Sequence, residues 1–130
     1  MLTIGIPIFP GSNCDRDVHY VLTNIYKVKT DLIWHKKENI KNYDAIILPG
    51  GFSFGDRLRA GIIAAHSPII KEVKRLGNQG IPILGICNES GNILGMMPHP
   101  ERSCQNELEI VGLTSKAMRI FDSLMNFLKK

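Results

Sequence analysis

Long apolar runs and cysteines are both scarce in this sequence of 130 residues. No stretch reaches the roughly 18 apolar residues that a membrane span needs, and the apolar start lacks the basic residues of a secretory signal. The three cysteines show no C-x-x-C spacing, so neither a disulfide framework nor a zinc site is indicated. We therefore expect a cytoplasmic protein without a bound metal, in which one of the thiols could be reactive.

Charge of one sign is not concentrated anywhere in the chain. There are 16 lysines and arginines against 12 acidic residues, and the excess is spread along the sequence, so nucleic-acid binding is not favoured. No internal repeat or low-complexity tract occurs. With 44% hydrophobic and 22% charged residues, the composition is that of a single globular domain spanning residues 1–130.

What the sequence does contain is an alternation of strand and helix signals. Short apolar runs at 2–9, 28–34, 45–48 and 81–86 predict four strands. A helix follows the turn at 10–13, with Asp15 as its expected cap, and further helical structure up to Gly77 is interrupted by Pro68. The order β-α-β-β-α-β and the continuous apolar runs predict a doubly wound α/β domain, whose parallel sheet is covered on both faces.

The last third of the chain has a different pattern. Turn residues at 87–92 lie directly between two apolar runs, which predicts a hairpin with Gly91 at the turn. Residues 115–129 predict an amphipathic closing helix.

Cys87 follows the fourth predicted strand within Gly85-Ile86-Cys87-Asn88. The small residues of a G-x-nucleophile-x-G turn let a strand end sharply and expose a nucleophile. Only the first half of that signature is present, because Glu89 stands where the second glycine is required. Cys87 is therefore a candidate nucleophile, and the alternative is a buried cysteine at the end of a strand.

His99 and Glu101 form a His-x-Glu pair between two prolines. A thiol nucleophile needs a base that takes its proton and a carboxylate that orients the base. The alternative is a polar turn at the end of a strand. Cys87 together with this pair is stronger evidence than either feature alone.

A glycine-rich loop, residues 49–56, follows the third strand. Glycines at the carboxyl end of a strand allow backbone N–H groups to approach an oxyanion or another anion, and the alternative is a tight turn. The loop matches neither the dinucleotide fingerprint nor the phosphate loop, so a flavin- or nucleotide-binding function is disfavoured.

Five segments together resemble the glutaminase subunit of phosphoribosylformylglycinamidine synthase, a class I glutamine amidotransferase of purine biosynthesis. They are residues 10–15, 34–35, 48–61, 85–88 and 95–102. The resemblance covers nearly the whole chain, and the glycine loop and Met-Met-Pro-His-Pro-Glu-Arg are specific to this family. It implies a flavodoxin-like α/β fold with a parallel sheet flanked by helices.

The resemblance also implies roles for individual residues. Cys87 would attack the glutamine amide, His99 would be the base and Glu101 would orient it. The oxyanion and the glutamine would be held by the glycine loop and the residue after the nucleophile, namely Gly50, Gly51, Phe52 and Asn88. The chain itself would need no cofactor. The ammonia would pass to a large ATP- and Mg-dependent synthetase subunit, accompanied by a small third subunit.

The chain departs from the family pattern after Cys87, where the block that should precede the His-x-Glu segment is absent. Residues up to Asn88 fit the nucleophile strand, whereas residues from Gly85 onward fit the family's final hairpin. We therefore expect one domain that is internally shortened at about residues 88–91, with a truncated second half ending in the hairpin.

This shortening bears on activity. In a flat hairpin, Cys87 would lie opposite Asn92, and His99 follows Asn92 by seven residues. At ~3.3 Å per residue, His99 would then lie up to roughly 23 Å from Cys87, whereas proton transfer needs about 3 Å. We therefore expect this chain to hydrolyse glutamine poorly or not at all. The alternative to a glutaminase subunit is a catalytically impaired remnant or a non-catalytic interaction module of the same lineage.

Overall fold

The computed structural model describes residues 1–50, 60–85 and 114–129. The strands are β1 (Thr3–Ile8), β2 (Lys29–Trp34), β3 (Ala45–Leu48) and β4 (Ile83–Gly85). The helices are α1 (Cys14–Tyr20), α2 (Ala60–Ala65), α3 (Pro68–Asn78) and α4 (Thr114–Leu128). The predicted order of strands and helices is confirmed. The predicted hairpin at 87–92 lies outside the described residues.

The four strands form one parallel sheet in the order β2-β1-β3-β4. β1 pairs with β2 along its whole length, from Thr3 opposite Lys29 to Ile8 opposite Trp34. On its other side β1 pairs with β3, and β3 pairs with β4. Because the chain leaves β1 toward β2 and then returns to the opposite side at β3, the order reverses between β1 and β3.

Both faces of the sheet are covered, as the apolar runs predict. Side chains alternate between the faces along each strand, so Ile47 packs with α1 and α4 while its neighbour Ile46 packs with α3. The α4 helix contributes Phe121 and Met125 to the first of these clusters. The closing helix therefore packs into the same core as β1 and α1.

Helix α1 begins at Cys14, and Asn13 is the flanking residue. The prediction that Asp15 caps this helix is wrong, because Asp15 already lies inside the first turn, where its side chain is buried. After Tyr20 the helix widens into a π-helical turn over Val21–Ile25. The π-helical turn ends at Ile25, and Lys27, two residues later, has a left-handed backbone with φ of 54°.

The interruption predicted at Pro68 is confirmed. Helix α2 ends at Ala65, and α3 starts at Pro68 with the proline in its first turn. Ser67 has the extended backbone that a residue before proline favours, with ψ of 141°. A proline at this position costs no hydrogen bond, since the first N–H groups of a helix have no partner within it.

Candidate functional site

The carboxyl ends of the strands form the edge of the sheet at which parallel α/β domains bind their ligands, most often where the strand order reverses. Here that point lies between β1 and β3. The chain continues from β1 into residues 9–13 and from β3 into Pro49 and Gly50, both of which are buried. The predicted glycine-loop residue Gly50 is therefore at the expected edge of the sheet.

The register of β3 and β4 aligns two of the predicted segments. Leu48, the last residue of β3, lies opposite Gly85, the last residue of β4. Gly50 and Cys87 each follow these strand ends by two positions in the sequence. Cys87 itself lies outside the described residues, as do Gly51, Phe52, Asn88, His99 and Glu101.

The segment after β1 is closed by a compact turn. The Ser12 hydroxyl donates to the Phe9 carbonyl at 2.8 Å, and the Phe9 N–H donates to the Ser12 oxygen at 3.2 Å. Gly11 has φ of 79°, a left-handed conformation that glycine adopts without steric cost. This turn directs the chain from the sheet into α1.

Cys14 is the described thiol at this edge, and it is only 1% exposed. Its Sγ lies 3.3 Å from the Asn13 side-chain oxygen. A thiol that is enclosed in this way is not accessible to a substrate. We therefore interpret Cys14 as a structural residue and not as a reactive thiol.

Asp15 is a buried carboxylate for which the sequence predicts only the role of a helix cap. It is 4% exposed, and within the described part of the chain its Oδ1 accepts no hydrogen bond. Its place in the first turn of α1 offsets part of the cost of burial, because the positive end of the helix dipole favours an anion there. In the sequence, Asp15 is a polar residue just after a turn. An exposed helix cap has the same local sequence pattern, so the sequence does not reveal that Asp15 is buried.

A second polar cluster lies at the carboxyl end of β2. The Nδ1 atom of His35 is 3.2 Å from the hydroxyl of Ser67, and both residues are buried. The His35 ring also packs against Phe9 and, edge-on, against Trp34, with centroids 6.1 Å and 4.6 Å away. Burial, reinforced by the charge of Lys36, lowers the pKa of His35 below its usual value.

His35 and Ser67 border an open cavity of about 460 Å³, which is also lined by Lys36, Glu38, Ile63, His66 and Pro68. A serine beside a histidine can act as a nucleophile when backbone N–H groups are available to an oxyanion. The N–H of Ile69 already donates to the His35 carbonyl at 3.1 Å, and that of Ile70 to the Ser67 carbonyl at 3.0 Å. We therefore interpret the pair as a structural link between β2 and α3.

Within residues 1–50, 60–85 and 114–129, no group of three His, Cys, Asp or Glu side chains is placed to hold a metal ion. Among the described helices, none combines the length and the apolar character required to cross a membrane.

Comparison with known proteins agrees with this architecture. Residues 2–88 match the CobB/CobQ-like glutamine amidotransferase domain. A curated relative named phosphoribosylformylglycinamidine synthase subunit PurQ, from Chlorobaculum parvum, is 49% identical over 102 residues, which are 74% of this chain and 40% of that protein. The subunit of the same name from Thermosynechococcus vestitus is 55% identical over 87 residues, or 67% of this chain and 36% of that protein.

A chain in the structure of PurLQS from Thermotoga maritima has the same fold, with a TM-score of 0.80 at 23% identity. The match covers 98% of this chain and 99% of that chain. The predicted fold, a parallel sheet flanked by helices of the class I glutaminase type, is thereby confirmed. This chain nevertheless spans less than half the length of either curated relative. Because the family match extends over more than half of its residues, the protein belongs to the CobB/CobQ-like glutamine amidotransferases.

Proposed function

We propose that this chain is a shortened glutaminase subunit of phosphoribosylformylglycinamidine synthase. The intact reaction of such a subunit is hydrolysis of glutamine to glutamate and ammonia for de novo purine biosynthesis. Cys87 would be the nucleophile, His99 the base that takes the thiol proton, and Glu101 the carboxylate that orients His99. The curated relatives named as PurQ support the assignment.

The observation that carries this proposal is the pairing of Leu48 with Gly85. Adjacent strands lie about 4.8 Å apart, so the residues that directly follow the two strand ends start from neighbouring points. A nucleophile two residues after β4 would then be close to the backbone N–H groups of the glycine loop. That is the arrangement an oxyanion hole requires, with Gly50, Gly51, Phe52 and Asn88 as its members or glutamine contacts.

We propose that the chain is a single domain, internally shortened at about residues 88–91, where the two family segments share Gly-Ile-Cys-Asn. Sequencing the source gene across codons 80–95 tests this directly. An intact intervening segment at that position would end the idea.

The expected partners follow from the family. We propose that glutamine is the substrate, and that a large synthetase subunit, which would use ATP and Mg, receives the ammonia in the cytoplasm beside a small third subunit. The name PurLQS, which the structural neighbour from Thermotoga maritima carries, supports a multi-subunit assembly.

A second candidate is a catalytically impaired remnant or interaction module of the same lineage. Its support is length, since the chain covers 36% and 40% of the two relatives described above. The shortening places His99 only twelve positions after Cys87, which leaves little chain to bring both groups to one site.

Ammonia release from glutamine separates the two candidates. The parent chain is compared with Cys87→Ala, and Cys14→Ala serves as a control for a thiol that is enclosed in the fold. Release that depends on Cys87 and not on Cys14 supports a working glutaminase. Equal release from the parent and from Cys87→Ala supports the impaired remnant.

A further inference from the structure

Strand β2 forms one edge of the sheet, and within the described ranges no other strand pairs with its outer side. Two large apolar residues on this strand are exposed: Leu32 at 41% and Trp34 at 49%. They are separated by one residue, so they point to the same face of the strand. An open strand edge with exposed apolar side chains is a template for another strand.

Side-chain contacts join the strand to the neighbouring elements. The Thr30 hydroxyl lies 2.6 Å from Nδ1 of His19 and 3.0 Å from the Thr23 hydroxyl, which ties β2 to α1 and to the π-helical turn that follows it. The Trp34 ring is fixed by its edge-on contact with His35. Docking onto a preorganised edge of this kind loses little conformational entropy.

Both ends of the strand are positively charged. Lys27 and Lys29 stand at its start, and Lys36 and Lys37 follow its end. All four are exposed, and among the described residues none forms an ion pair. In the centre, Lys41 neutralises Asp31 at 2.6 Å, and the exposed Glu38 offsets one charge beyond the end.

This charge pattern disfavours a second copy of the chain as the occupant. Antiparallel pairing of two β2 strands would bring the lysines at the start of one strand against those at the end of the other, and such like-charge contacts are destabilising. Edge lysines can also serve to repel all strands. The exposed Leu32 and Trp34 between them argue against that role, since tryptophan is a preferred anchor of protein interfaces.

We propose that the outer edge of β2, from Lys27 to Lys37, docks an extended segment of a partner protein with acidic residues at both ends and apolar residues between them. The segment would add a strand to the sheet, with main-chain hydrogen bonds for affinity and Leu32 and Trp34 as side-chain contacts. The lysines would steer the acidic partner and fix its register. This inference does not rest on the glutaminase chemistry.

The single tryptophan makes the test direct, because Trp34 reports on this surface alone. The probe is a short synthetic peptide with paired glutamates at each end and alternating valine and threonine between them. A matched peptide carries lysines in place of the glutamates. We expect a change in Trp34 fluorescence with the glutamate peptide, weakened by salt, and none with the lysine peptide.

Two double variants localise the interaction. Lys29→Glu with Lys36→Glu should weaken binding of the glutamate peptide about tenfold or more and admit the lysine peptide. Lys71→Glu with Lys74→Glu removes the same charge from exposed positions of α3 and should change nothing. All the substituted side chains are exposed, and circular dichroism checks that each variant is folded.

Three results would overturn the proposal. They are no fluorescence response to the glutamate peptide, an equal response to both peptides, and equal weakening by both double variants. A dimer in sedimentation that is abolished by Leu32→Lys would assign the edge to a second copy of the chain, and would also contradict an acidic partner.

Discussion

Nδ1 of His35 lies 3.2 Å from the hydroxyl of Ser67, although the two residues are 32 positions apart. The contact joins the end of β2 to the start of α3, and the Ile69 N–H donates to the His35 carbonyl beside it. A buried imidazole in this position makes stability sensitive to pH.

Acidification should destabilise the protein through His35. Burial and Lys36 lower the pKa of His35 below the usual value of 6.5. At a pH between the lowered value and 6.5, His35 therefore binds a proton in the unfolded chain but not in the folded chain. The free energy of unfolding therefore falls as the pH falls below about 6.5. We expect a lower melting temperature at pH 5 than at pH 7.5.

His35→Gln should reduce this difference between the two pH values, whatever its effect on stability at pH 7.5. His66→Gln, at an exposed position of the neighbouring turn, should keep the difference of the parent chain. The same pH difference in His35→Gln as in the parent would rule out His35 as the source.

Removal of the Phe121 side chain should strongly lower the stability of the domain. Phe121 is fully buried, and its ring packs against Tyr26 with centroids 6.0 Å apart. We expect Phe121→Ala to lower the free energy of unfolding by about 3–5 kcal/mol, as for other buried aromatic residues. Phe127→Ala, in the same helix but 63% exposed, should cost far less.

Urea denaturation of the two variants measures the difference. Similar small losses from both would mean that α4 is not anchored in the core that β1 and α1 share.

A methyl group at Gly5 should also be costly. A Cβ there would lie 2.7 Å from Cδ1 of Ile46, 2.9 Å from Cδ1 of Ile33 and 3.1 Å from the Tyr43 ring. Because these groups approach from β2, from β3 and from the loop between them in a packed core, we expect Gly5→Ala to cost about 1–3 kcal/mol. The measurement is the urea midpoint.

Gly80→Ala is the comparison, because a Cβ at Gly80 meets nothing within 4 Å. Its cost comes from φ of 85° and should be about 1 kcal/mol. A Gly5→Ala variant as stable as the parent would show that the core can relax around the added methyl.

The sequence predicts the elements whose signals are local. Apolar runs locate the four strands to within two residues, and Pro68 locates the start of α3. The cap at Asp15 is predicted wrongly, since an aspartate near a turn has the same local pattern whether it flanks a helix or lies in its first turn. The contact of His35 with Ser67 could not be predicted, because it depends on how β2 and α3 pack.

Of the predicted site residues, the described part of the chain includes Gly50, which follows β3 at the edge of the sheet, and its role stays a prediction. The register that aligns Leu48 with Gly85 is a property of strand pairing, and no local pattern contains it. The roles of Cys87, His99 and Glu101 stay predictions.

Labelling of Cys87 measures whether its thiol is reactive in this shortened chain. The purified chain is incubated with a glutamine-analogue affinity label, its mass is measured, and ammonia release from glutamine is followed in parallel. We predict no stoichiometric addition at Cys87 and no ammonia above the Cys87→Ala level, the result that favours the impaired remnant, because in the expected flat hairpin His99 would lie far from the thiol. Stoichiometric labelling of Cys87 with Cys87-dependent ammonia release would contradict that account.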